Sequence, residues 1–332
     1  MKIVYLKPRS SLMTELRSDT LWGLIITAIA RIYPKTVVQE IIDSYKGKNQ
    51  SFQISSAFPF RQDAQGLKSF FFPKPQLHAE IDLETCQGKQ SGLKKLQQMK
   101  VFKRVKYVSK NVFQQYLDGG LTDNDLFEKA KDNSTGFSFD GIQESTIQHN
   151  TIDRQTWTTL EVNEKGQLYT SEEQFFSEGY GLFFLVRGEQ LDYVESSLRL
   201  LQHTGFGGGI SVGKGLFDVK VEDFMLREPE TADRFITLSL YSPTTDELRH
   251  FEPVKEYMSY DLEFRKGNIG RNISQRHEKD GVMMFREGSV FPSLTRECYG
   301  SLIKVRSRGG DLAHDIYHNG MAFHLNFRMP VL

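Results

Sequence analysis

The chain has 332 residues, enough for two domains with substantial cores, and its 39% apolar and 25% charged residues mark a globular rather than a disordered protein. Lysine plus arginine equals aspartate plus glutamate, 42 of each. That balance argues against a free-standing nucleic-acid binder working by bulk charge, while leaving local basic surfaces open. Cys86 and Cys298 lie far apart and suggest neither a disulfide framework nor a zinc set. The opening apolar run, Ile3 to Leu6, is too short for a signal peptide. No stretch approaches the ~18 apolar residues of a membrane helix. The expectation is a cytoplasmic protein without membrane contact.

Met1 to Lys7 alternates like a strand. Ser18 or Asp19 is placed to cap a helix whose apolar stripe is Leu21, Leu24, Ile25, Ala28, Ile29 and Ile32, with Pro34 ending it. Capping explains Ser18, Asp19 and Thr20. It does not explain Arg17, because a cation is disfavoured at a helix N-terminus unless an anion sits beside it. Val37 to Tyr45 reads as a second helix. Phe52 to Phe60 and Ser69 to Pro75 read as short apolar pieces, with Phe70, Phe71 and Phe72 in the core. Aromatics alternating along a strand, as on an RNA-recognition surface, are not visible.

From Lys89 to Lys110 there are eight cations and no acid. Among them are Lys94, Lys95, Lys103, Arg104 and Lys106. Two readings stand side by side: a solvated face, or a phosphate-backbone surface, since solvated faces normally mix signs. Residues from about 75 to 155 read as an insertion in the first domain. His149 to Thr156 then precedes an expected hairpin, with Trp157–Val162 and Gln167–Thr170 flanking a turn at Asn163–Gly166. Asp153 and Arg154 could pair with other side chains; Arg154 could also hold a phosphate or stack on a base. Tyr180 to Arg187 is a nearly all-apolar strand. Glu189 to His203 is a helix with Val194, Leu198 and Leu201 on one face.

The densest signal follows. Gly205, Gly207, Gly208, Gly209, Gly213 and Gly215 fall within eleven residues, with Ser211 and Lys214 among them. Such density loses much backbone entropy on folding, so the segment must need positive φ or close backbone approach. Bare N–H groups with one ammonium make an anion cradle, and phosphate is the natural guest. The loop is not a Walker loop, because Gly215 replaces the magnesium-binding hydroxyl. Nor is it a dinucleotide loop, because it leaves a helix and enters a strand, Leu216–Val221. A break is expected near Leu226–Asp233. Strands are expected at Phe235–Tyr241, Tyr257–Phe264, Val282–Phe285, Ser301–Val305 and Ala322–Phe327. His314 and His318, at i and i+4, could approach a metal if helical, but lack the glutamate of a zincin.

The order helix, glycine loop, strand resembles the RAMP superfamily of CRISPR RNA-binding proteins. Gly205, Gly207, Gly208, Ser211, Gly213 and Gly215 fill its G-x-G-G-x-x-S-x-G-x-G signature. Arg17 to Gly23 resembles the S-D-T-L-[FW]-G motif of one RAMP family, the fourth subunit of the type III-A Csm complex. Lys94-Lys95 with Lys106–Ser109, the stretch Asn150–Thr156, and the turns at Gly288–Phe291 and Gly320–Phe323 are similar to further motifs of that family. The resemblance implies an α+β chain of two ferredoxin-like (RRM/RAMP-type) domains, 1–228 with the insertion and glycine loop and 229–332 in degenerate form. It implies a cytoplasmic subunit in antiviral defence that grips the 5′ handle of crRNA. Its expected partners are the large polymerase-like subunit, the backbone RAMP subunit and target RNA near the handle. RNA contacts are expected at Arg17, Ser18, Thr20, His149, Asp153, Arg154, the glycine loop with Ser211 and Lys214, and the basic run. No catalytic residue, metal or cofactor is expected, with an endoribonuclease of precursor CRISPR RNA as the alternative. Asp19, His149 and His203 form no acid–base pair by spacing.

Overall fold

The computed structural model describes residues 1–47, 50–76, 102, 104–122, 125–126, 129, 141–162, 165–269, 278–294, 296–306 and 314–328. Lys94, Lys95, Lys103 and Cys86 lie outside them.

Strand β1 (Lys2–Pro8) leads to helices α1 (Ser18–Ile32) and α2 (Lys35–Lys46), divided by Pro34. Strands β2 (Phe52–Ile54), β3 (Phe58–Gln62), β4 (Lys68–Pro73) and β5 (Tyr107–Ser109) follow, then helix α3 (Lys110–Leu117), capped by the Ser109 hydroxyl. Strand β6 (Ile142–Asn150), the short β7 (Glu161–Val162) and β8 (Lys165–Gly166), and β9 (Leu168–Phe176) come next. Strand β10 (Tyr180–Gly188), helix α4 (Leu191–Thr204) and β11 (Phe217–Asp223) complete this part.

The main sheet is antiparallel in the order β11-β1-β10-β3-β4-β5, with β2 also on β10. Alternation decides which residue meets which layer. Val4, Leu6, Leu182, Phe184 and Val186 face α1, α2 and α4 through Leu21, Ile25, Ile29, Ile41, Val194 and Leu198. Ile3, Tyr5, Phe183 and Leu185 face the other way, onto Val108, Val112, Phe113, Tyr116 and Leu117. This is why β10 is apolar at nearly every position: both of its faces are covered.

The second half holds β12 (Arg234–Thr237), helix α5 (Thr245–Phe251), β13 (Leu262–Arg265), β14 (Val282–Phe285), β15 (Val290–Pro292), β16 (Gly300–Arg306), β17 (Ile316–Met321) and β18 (His324–Phe327). Thr244 and Glu247 form a reciprocal capping box on α5. The strands make a sheet β15-β12-β18 and two ribbons, β13–β14 and β16–β17. Phe235 anchors a cluster with Tyr241, Phe251, Phe291 and Tyr299.

Four features differ from the sequence expectation. The stretch after residue 75 is not wholly an appendage, because β5 extends the main sheet and α3 closes its second face; Phe72 stacks on Phe113 at 4.7 Å. The two halves share that core, since Ile236, Leu238, Val290, Phe323 and Leu325 join the same cluster. The hairpin is larger than expected: β6 and β9 pair over nine positions from Ile142↔Phe176 to Asn150↔Leu168, and β7–β8 is only a small ribbon beyond them. His318 lies in β17 and His314 in the bend before it, so the helical i, i+4 reading fails. Among the described residues no helix is long and apolar enough to cross a membrane.

Candidate nucleic-acid interface

The glycine loop closes α4 and leads into β11. Gly205, Gly207, Gly209, Gly213 and Gly215 have φ between +70° and +93°. Gly215 also needs its missing side chain, since a Cβ there would lie 2.0 Å from the Phe206 carbonyl oxygen. The cradle is less bare than the sequence suggested. The N–H groups of Gly205, Gly213, Lys214 and Gly215 donate to the carbonyls of Leu201, Ile210, Gly209 and Ser11, and Gly208 donates to Thr14 Oγ1 at 2.9 Å. The N–H groups of Gly207 and Gly209 meet no acceptor among the described residues. Ser211 and Gly213 are exposed, and Val212 is 71% exposed.

Lys214 does not extend freely into the cradle. Its ammonium donates to Glu173 Oε2 at 2.8 Å and to Ser11 Oγ at 3.0 Å. Glu173 is buried, and the Lys214 ammonium and Ser11 hydroxyl hold its carboxyl below the usual carboxylate range. Its other oxygen accepts from Ser171 at 3.3 Å, and Ser171 meets His149 Nε2 at 2.8 Å. Glu173, Ser171 and His149 sit on one face of the β6–β9 arm, because cross-strand partners share a side and positions alternate.

That arm carries the residues that sequence reasoning missed. On the same face the His149 and Tyr169 rings stack at 4.9 Å and 18°, and Tyr169 is 55% exposed. Glu144 and Glu172 lie on the opposite face. Nine paired positions make an arm of roughly 30 Å. At its tip Asp153 shapes the chain: its Oδ1 accepts from the Gln155 N–H at 2.8 Å, and its backbone pairs with Thr158 and Trp157. Arg154 is exposed, and Trp157, at φ +57°, is 83% exposed. A non-glycine residue at positive φ with its indole in solvent is costly. The signal was a tryptophan among threonines just after an Asp-x-Gln turn; alternation had assigned it to a strand.

Arg17, Ser18 and Thr20 are elsewhere and differently employed. The anion that Arg17 requires belongs to the chain itself. Its Nε meets Glu15 at 2.8 Å, Nη1 meets Glu287 at 2.8 Å, and Nη2 stands 3.7 Å from Glu263. Burial pulls the guanidinium pKa down, and Glu287 and Glu15 outweigh that and raise it. Ser18 does not cap α1: its hydroxyl accepts from the Leu240 N–H at 3.0 Å, and its own N–H donates to Ser56. Asp19 accepts from Arg265 at 3.0 and 3.1 Å, and Thr20 Oγ1 accepts from the same guanidinium at 3.3 Å. His318 Nδ1 lies 3.4 Å from Asp19, an ion-pair separation without well-aligned hydrogen bonding. The motif therefore fastens α1 to the C-terminal half, and the carboxylates that Arg17 meets are the chain's own.

Burial raises the Asp19 pKa, but His318 and Arg265 outweigh it and hold the carboxyl well below the ordinary range. A depressed folded pKa contributes stability that is present above the unfolded value, ~3.9, and is lost as pH falls below it. Urea midpoints of the wild type should therefore fall more steeply between pH 5 and the acid limit than those of Asp19→Asn. Parallel profiles would remove Asp19 from this role.

Of the basic run, Arg104 and Lys106 are described and exposed. Lys110 is engaged over the Phe224 ring at 4.5 Å.

A family model of the CRISPR Csm4 C-terminal domain matches residues 230–327. The CRISPR system Cms protein Csm4 of Thermococcus onnurineus (strain NA1) is 28% identical, over 98% of this chain and 96% of that protein. The same-named protein of Streptococcus thermophilus is 22% identical over 83% of each. Among solved structures, a Csm1–Csm4 cassette in complex with cA4 matches with TM-score 0.61 at 22% identity, covering 100% of this chain and 99% of the other. A Csm3–Csm4 subcomplex of the type III-A interference complex matches with TM-score 0.62 at 18% identity, covering 98% and 99%. The mixed α/β fold with its antiparallel sheets is that of these structures. Fold and matches together define a RAMP-type CRISPR protein. Residues 230–327 match the Csm4 C-terminal domain, and nearly the whole chain is similar to a Csm4 protein.

Proposed function

We propose that this chain is a non-catalytic RNA-binding subunit of a type III-A CRISPR (Csm) effector. It grips the 5′ handle of crRNA, near target RNA, and docks the large polymerase-like subunit and the backbone RAMP subunit, in cytoplasmic antiviral defence. The observation that carries the reading is the arm: an exposed aromatic face, His149 with Tyr169 and Trp157 beyond, fastened at its base to the glycine loop. Relatives of this family form complexes with Csm1 and with Csm3, which supports the two protein partners. The strand order β11-β1-β10-β3, with α1 and α4 on one face, supports a ferredoxin-like first domain. The three-stranded C-terminal sheet is read as a degenerate second one.

Charge decides how the arm would hold RNA. Between Gly141 and Phe176 there are six acids and two cations, so phosphate attraction cannot be its main term. Stacking is indifferent to that balance and is worth roughly 1–3 kcal/mol per base. The phosphates fall to the Gly207 and Gly209 N–H groups, Arg154, and the basic run with Lys94, Lys95, Lys103, Arg104 and Lys106. Catalysis would require a base and an acid within reach of one 2′-hydroxyl. Asp19 is buried against Arg265, and His149 is held by Ser171 and Tyr169. The purified chain should bind repeat-derived RNA and leave it intact, with and without divalent metal. Cleavage that disappears in His203→Ala or Asp19→Ala would overturn the reading in favour of an endoribonuclease.

A further inference from the structure

The Lys214 ammonium is the cation that the glycine loop offers a phosphate, yet it is spent on a carboxylate of the arm. Glu173 is 2% exposed and receives three side chains from three segments: Lys214 of the loop, Ser11 after β1, and Ser171 of the arm itself. At the same level the arm's backbone is pinned where Leu12 and Gln174 exchange N–H···O bonds of 3.0 and 2.8 Å. The aromatic pair His149–Tyr169 lies further out on the same face, joined to Glu173 through Ser171. A two-stranded ribbon of this length is marginally stable by itself in water. Its direction must therefore come from its base.

We propose that Glu173 and Lys214 form a latch that sets the direction of the β6–β9 arm against the glycine loop. Glu173 is then a positioning residue for RNA laid across the two, and Lys214 serves the arm rather than a phosphate. The inference rests on the RNA-binding reading only for its consequence, since the latch itself exists in the free protein. A charge-assisted hydrogen bond to a buried carboxylate is among the stronger contacts available at such a base, and Gln in place of Glu removes the charge while keeping the shape. Lys214→Met removes the donor at a half-exposed loop position.

The test is amide hydrogen exchange on the full chain without RNA, for wild type, Glu173→Gln, Lys214→Met, Lys214→Arg and the Glu173→Gln/Lys214→Met double variant. The latch predicts exchange across 142–150 and 168–176 faster by roughly tenfold or more in both single variants. It predicts no further increase in the double variant, substantial rescue by Lys214→Arg, and wild-type exchange in β1 and β10. In salt titrations of repeat-derived RNA binding, Lys214→Met should lower affinity without changing the slope. Unchanged arm exchange in Lys214→Met overturns the latch, whether or not Glu173→Gln folds. Unchanged exchange together with a slope shallower by about 0.7 would make Lys214 a phosphate ligand instead. Altered exchange with no RNA binding in the wild type would keep the latch and reject the RNA reading.

Discussion

Arg17→Ala should destabilise the folded chain by about 3–5 kcal/mol, among the largest losses available to a single substitution here. The side chains of Arg17 and Glu287 are each only 7% exposed. Removing the guanidinium leaves the Glu287 carboxylate buried with the Ser56 hydroxyl as its remaining short partner. An unpaired buried charge costs far more than the pair itself contributes. Because Glu287 comes from the C-terminal half and Arg17 immediately precedes α1, the loss should loosen the junction of the halves first. Arg9→Ala is the control: its partner Asp218 is 3.7 Å away, both are more than half exposed, and the change should stay within ~0.5 kcal/mol. Urea unfolding of the three proteins decides it. An Arg17→Ala midpoint equal to wild type would mean that the cluster is not what joins α1 to the second half.

Much of the fold was legible because periodicity and burial agree. The α1 stripe predicted a buried helix, and Leu21, Ile25, Ala28 and Ile29 are buried. The continuous apolar run at β10 predicted a strand covered on both faces. Local pattern could not reveal which distant group answers which charge. Arg17 signalled an anion, and nothing in the sequence distinguished Glu15 and Glu287 from a phosphate. Ser18 looked like a cap because capping and long-range hydrogen bonding favour the same residue type. The density of the glycine loop signalled a backbone need, and five of its six glycines have positive φ. The commitment of Lys214 to Glu173, 41 residues upstream, is a tertiary choice with no local signature. The arm was underestimated for a related reason. Its strands are polar on both sides, so hydrophobic alternation, the usual strand signal, is absent.

Trp157→Ala and Tyr169→Ala should each weaken binding of repeat-derived RNA by roughly 10–100-fold, the equivalent of about 1–3 kcal/mol for a lost base stack. Both side chains are exposed and neither belongs to a buried cluster, so unfolding midpoints should stay near wild type. Stacking neutralises no phosphate, so the contribution of these two rings should be insensitive to salt. The most direct measurement is fluorescence anisotropy of labelled repeat-derived RNA with wild type, Trp157→Ala and Tyr169→Ala over a range of salt concentrations. The account predicts parallel lines of log affinity against log salt, with both variants displaced downward and the wild-type slope retained. Wild-type affinity in both variants, at every salt concentration, would contradict the claim that this arm holds RNA.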